Sequence, residues 1–238
     1  MSSPPAAFEP LLSAGRLPDW LPPVLTVLAS GSADSQWVDR LAGRLGELPV
    51  PLPVAVLHDW LARTVLPPAA EVAELAGPVE ELRHLHARAA AGERLAEPDW
   101  RAVLEPALRE LYRRAYGYAE AYATAHASAS AYAQANGFSE QGAVSFAESY
   151  AASATDANRD AFAEANAVAN AALLAAAYAG DEPAALAEAY PFALVQACVR
   201  AAVNGAEPPA DPVRLEQQAW LRLADGLVDS CARRARRA

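Results

Sequence analysis

Three groups of residues have types and spacings that could do chemistry. The first is the acidic row Asp156, Asp160 and Glu164 in "DANRDAFAE". Steps of four put all three carboxylates on one side of a helix. Mg²⁺ takes oxygen ligands and keeps part of its water shell, so such a row could hold it against a diphosphate. A charged outer face is the simpler reading, and Arg159 beside the row fits both. The second group is His126 with Tyr122 and Glu120 in "YAEAYATAHASASAYAQANG". His126 reads either as a hydrogen-bonded core histidine or as an acid–base group in a small pocket lined by Tyr116, Tyr118, Tyr122 and Tyr132. The third is the series Glu120, Glu148, Glu164 and Glu188 with one Glu-x-x-His, Glu81-Leu-Arg-His84, and His86 nearby. A four-helix di-metal centre needs two such Glu-x-x-His pairs, and the second is missing.

Over its three residues the acidic row is similar to the metal-binding triads of isoprenoid-diphosphate enzymes. That resemblance implies a small-molecule enzyme with a helical pocket, Mg²⁺ as cofactor and an isoprenoid-diphosphate-like substrate. The second acidic motif of that pattern, Asp-Asp-x-x-Asp, is absent. Other chemistries are excluded more firmly. The chain has no lysine, so a Walker-type phosphate loop and a Schiff base are both impossible. No Gly-x-Ser-x-Gly occurs. Cys198 sits in an apolar run, which raises a thiol's pKa instead of activating it.

The net charge of −10 disfavours nucleic acid and anionic membranes, which need a basic face. It suits a protein partner or self-association. The four arginines of "ARRARRA" complement the dipole at a helix end. No apolar run approaches the roughly 20 residues of a membrane span. Cys198 and Cys231 read as reduced, buried thiols in a cytoplasmic chain. Abundant alanine with arginine as the only strong base points to a GC-rich bacterial genome.

The elements that must position these groups read as helices. Most of the prolines fall before residue 100, which divides the chain into a Pro-rich part, 1–95, and an Ala-rich long-helix bundle, 96–238. Residues 1–30 read as an extended arm anchored by Trp20 and Leu21. Short helices follow: one from Ser35 with Trp37, Leu41 and Leu45 on one face, one over 53–66 between prolines, and one from Pro78 to Gly92. Proline at a helix start then recurs at Pro98, Pro183 and Pro212, and predicts long helices at 98–136, 183–204 and 212–236. Pro191 should kink the second of these. Asn136-Gly137 is a stop and Ser139 a new N-cap, so a further helix starts at 139 and either runs to 179 or restarts at "SATD" near Ser153.

Alanine at nearly every second position over 116–137 imitates a strand, but no Gly, Pro, Asn or Asp interrupts Tyr118–Ala135, which is too long for one strand. A heptad fits instead. Leu104, Leu108, Leu111, Ala115, Tyr118, Tyr122, Ala125, Ala129, Tyr132 and Asn136 make one seam. Val144, Ala147, Ala151, Ala154, Asn158, Ala161, Ala165, Val168, Ala172, Ala175 and Ala179 make the other. The predicted fold is all-α: a bundle built on an antiparallel hairpin over 98–179, two further C-terminal helices, and short Pro-bounded N-terminal helices. With no complete catalytic motif, the predicted function is protein–protein interaction, with homo-oligomerisation one form of it.

Overall fold

The computed structural model describes residues 4–32, 35–47, 52–180, 192–205 and 211–235. Among them every regular element is helical and there is no strand, so the protein is an all-α multi-helix bundle. A 3₁₀ turn at Ala6–Phe8 leads into α1 (Glu9–Ser13), then α2 (Leu21–Gly31) and α3 (Gln36–Glu47). The extended arm expected over residues 1–30 is therefore mostly helix. Pro22 and Pro23 lie in the first turn of α2, where a missing N–H has no intrahelical partner to lose. Trp20 and Leu21 do anchor it, both fully buried.

α4 (Ala55–Trp60), a π-helical turn (Leu61–Val65) and α5 (Leu66–Val72) form one rod. The helix predicted over 53–66 thus runs on through Pro67 and Pro68. The wide turn explains how: the Leu66 N–H reaches back to the Leu61 carbonyl, so the ladder loosens where the two prolines offer no donor. α6 (Ala76–Ala90) ends as expected at Gly92, whose φ of +97° suits glycine.

α7 (Glu97–Ala115), α8 (Tyr118–Ala135) and α9 (Glu140–Gly180) make the centre of the molecule. α9 is 41 residues long and unbroken, with no restart at Ser153; at 1.5 Å per residue it spans about 60 Å. The turn before it is built as expected. Gly137 takes φ +76°, Phe138 N–H donates to the Ala133 carbonyl, and the Ser139 hydroxyl caps the Gly142 N–H at 3.2 Å. The predicted helix 98–136 is not continuous. Tyr116 and Gly117 leave the helical region, and the chain restarts as α8. α9 runs antiparallel to both, its second half against α7 and its first half against α8.

A second π-helical turn (Phe192–Gln196) enters α10 (Ala197–Asn204), and α11 (Pro212–Ala235) closes the bundle, N-capped by Asp211 Oδ1 at 3.0 Å from the Val213 N–H. The predicted start at Pro183 and kink at Pro191 lie outside the described residues, as does Glu188. One buried cluster extends from Phe8 to Cys231 and contains all five tryptophans. α11 joins the two ends of the chain by packing on α2, α3 and α4, and Trp60 Nε1 donates to the Leu223 carbonyl at 2.8 Å.

The hairpin seam differs from the predicted heptad. The buried stripe on α8 is Ala121, Ala125, Ala129 and Ala133, and on α9 it is Ala143, Ala147, Ala151, Thr155, Arg159, Ala163, Ala167, Ala171 and Ala175, with Leu174, Ala177 and Tyr178 buried beside it at the C-terminal end. Both stripes step strictly by four. Tyr118, Tyr132, Asn136, Val144 and Val168 are exposed. A four-residue stripe drifts about 40° per step round a straight helix, in the right-handed sense. Alanine permits this because it has no side chain that must enter a facing hole. Leucine governs α7, where Leu104, Leu108 and Leu111 are buried as predicted.

Candidate functional sites

The alternating alanines divide into two rows. Ala121, Ala125, Ala129 and Ala133 face α9, while Ala119, Ala123, Ala127 and Ala131 are exposed on the opposite side. Between these rows run two flanks. One carries Tyr118, Tyr122 and His126 in a stacked file, with centroids 6.3 and 6.2 Å apart. His126 is half-buried in this file; Tyr116 lies apart from it, against Phe162. Of the four tyrosines named with His126, Tyr118 and Tyr122 share its file, while Tyr116 meets Phe162 and Tyr132 meets Phe146. Glu120 pairs with Arg200 at 2.6 Å.

The other flank is more aromatic. Tyr132 lies 6.0 Å from Phe146, Phe138 meets Phe146 edge-on at 5.5 Å, and Phe146 stacks on Tyr150 at 6.2 Å. Tyr132, Phe138 and Tyr150 remain 59%, 45% and 44% exposed. This surface belongs to an arm. Among the described elements α8 packs substantially only on α9, and the alanines of the arm lie outside the main buried cluster. Over residues 118–155 the charged residues are Glu120, Glu140 and Glu148, with no arginine at all.

The arm is attached through Arg159, which replaces alanine in the α9 stripe opposite the α7–α8 break. It is 8% exposed. Its Nε donates to the Tyr116 carbonyl and its Nη2 to the Arg113 carbonyl, both at 3.0 Å. Asn204 Nδ2 donates to the carbonyls of Arg114, at 3.3 Å, and Ala115, at 2.8 Å. The last carbonyls of α7, orphaned by the break, are thus served by two side chains from other helices.

The acidic row lies on one flank of α9, exposed and facing arginines. Asp156 pairs with Arg159 at 3.4 Å, Asp160 with Arg113 at 2.9 Å, and Glu164 with Arg109, whose Nη2 is 3.0 Å from Oε1. Each guanidinium competes with a divalent cation for the same oxygens. Glu148 is exposed on the same flank, and Glu81 and His84 are exposed on α6. Among the described residues no group of three or more His, Cys, Asp or Glu is placed to hold a metal ion. No helix among them is long and apolar enough to cross a membrane.

A second site lies in the body. His58 of α4 and His86 of α6, 3% and 0% exposed, meet through their Nδ1 atoms at 2.9 Å. Trp100 of α7 stacks on His58 with centroids 5.4 Å apart and planes 15° from parallel, and Tyr178 near the end of α9 stands edge-on to both imidazoles. Burial disfavours the imidazolium. It holds His58 down at about 4, and His86 falls well below its ordinary value, with the neighbouring His58 adding to the effect. Burial likewise raises the Tyr178 hydroxyl and the Cys198 thiol, and pushes Cys231 up to about 12. Both thiols are buried and free, as the sequence implies.

Sequence reasoning weighted Glu81-x-x-His84 and passed over this pair. A signal existed: His86 is seven and four residues from Val79 and Leu82, and His58 three and seven from Leu61 and Val65. Each histidine thus lies on the apolar face of its helix. No family model, no curated protein and no solved structure matches this chain.

Proposed function

We propose that this protein is an interaction protein whose arm, residues 118–155 of α8 and α9, docks onto the arm of a second copy. The observation that carries this reading is the exposed aromatic face of Tyr132, Phe138, Phe146 and Tyr150 on an arm without a single arginine. A molecule of charge −10 repels its own copies over most of its surface. The arm is where that repulsion is weakest, and where apolar surface is available to offset it. Exposed alanine rows on α8 let a further helix approach closely, as the buried row already does with α9. Paired with arginines as it is, the row Asp156, Asp160 and Glu164 gives the magnesium-dependent enzyme reading no comparable support.

Sedimentation velocity from low to high micromolar protein tests the proposal. We expect a concentration-dependent dimer, converted to monomer by Tyr132→Glu with Tyr150→Glu, while helicity stays unchanged. A monomer across the whole range overturns it, as does a dimer indifferent to the double substitution.

A further inference from the structure

The histidine pair stands beside a cavity of about 370 Å³, within the size range of small-molecule sites. His58, Trp100 and Tyr178 form its inner wall, and Glu93 and Arg94 lie at its edge. Two polar atoms of the cluster are sealed from solvent with no partner among the described residues, His86 Nε2 and Tyr178 Oη.

The sealed His86 Nε2 decides the tautomers. If it carried the proton, a buried N–H donor would have no acceptor, the costlier kind of orphan; a bare lone pair is tolerated better. His86 therefore protonates at Nδ1 and donates to His58 Nδ1, across the 2.9 Å contact. His58 must then carry its proton on Nε2. That atom is not among the buried atoms left unpartnered, and His58 lines the cavity. The pair thus presents one fixed N–H donor to the cavity, oriented from behind by His86.

Charge at the edge adds a second requirement. Glu93 is held by Arg88, whose Nε is 2.8 Å from Oε2, so the two charges cancel. Arg94 has no ion pair with the described residues and supplies a net positive charge at the edge. A neutral donor on an aromatic wall and a cation at the edge match one ligand chemistry. We propose that this cavity binds a small organic acid, its apolar body against Trp100 and Tyr178 and its carboxylate between His58 Nε2–H and Arg94. This site is separate from the arm, and the proposal holds or fails independently of self-association.

Titration calorimetry of the full chain with benzoate, benzamide and inorganic phosphate tests it, together with ¹H–¹⁵N imidazole spectra, simplified by there being four histidines. Benzoate should bind and shift the His58 Nε2 resonance, while benzamide and phosphate bind about tenfold more weakly or not at all, since each lacks one half of the match. Two substitutions at exposed positions spare the fold: Arg94→Ala should weaken benzoate about tenfold, and Ala179→Trp, at the cavity lining, should abolish binding. Absence of benzoate binding overturns the proposal. So does equal binding of benzoate and benzamide, binding indifferent to both substitutions, or a His58 resonance that does not move.

Discussion

The guanidinium of Arg159 crosses from α9 to the end of α7 and donates to the Tyr116 carbonyl at 3.0 Å. It is the one charged residue in a stripe otherwise made of alanine and threonine, and it lies where the facing helix stops. The break in the hairpin is therefore built from both sides.

Arg159→Leu should destabilise the protein by about 2–3 kcal/mol, because two carbonyls lose charge-assisted bonds that water cannot fully replace at a buried position. Urea unfolding followed by circular dichroism measures this. Arg159→Lys should recover less than half, since an ammonium cannot reach two carbonyls in a fixed fork. Full recovery by lysine would show that charge alone suffices.

Gly117 has φ −61° and ψ +151°, an ordinary extended conformation open to any residue. Glycine is favoured there by space: a Cβ would come within 3.2 Å of Asn204 Nδ2. Gly117→Ala should cost about 1 kcal/mol by forcing that amide from the carbonyls of Arg114 and Ala115. In the Asn204→Ala background the added cost should vanish, which a double-mutant cycle in urea reads directly.

The two alanine rows of α8 should respond differently to size. Ala129→Leu overfills the contact with α9 and should lower stability by about 1–3 kcal/mol. Ala127→Leu, on the exposed row, should change it by less than about 0.5 kcal/mol. Thermal melts of the two variants, taken at a concentration where the protein is monomeric, separate the rows.

The histidine pair makes stability depend on pH. In the folded state His58 protonates only at about 4, against an unfolded value near 6.5. The unfolded chain thus binds more protons through that window, and stability falls as pH drops from 6.5 towards 4. For His58 alone the loss is on the order of 3 kcal/mol, and His86 moves in the same direction. Tyr178 and Cys198, the other titratable groups of this cluster, stay neutral through the window because burial raises both. Urea midpoints at pH 7 and pH 5 should draw closer in His58→Phe, converge once His86→Phe is added, and remain apart in the His84→Gln control on the exposed side of α6. Equal slopes in both variants would assign the pH dependence to carboxylates.

The helical class, the turn at Asn136–Ser139, the proline-led starts of α7 and α11 and the anchors Trp20 and Leu21 are legible in the sequence. Each is a local matter: backbone φ, a missing N–H, or a cap within four residues. The flanking carboxylates could also be placed on one side of α9, because i, i+4 geometry needs no partner. Three things were decided only by tertiary structure. A seam made of alanine can step by four or alternate by three and four with almost equal local energy, and the facing helix chooses. The break at Gly117 depends on Arg159 and Asn204 arriving from other helices to serve the freed carbonyls. His58 and His86 stand 28 residues apart on separate helices, and only packing of α4, α6, α7 and α9 brings their rings together and removes the water that would otherwise let them protonate.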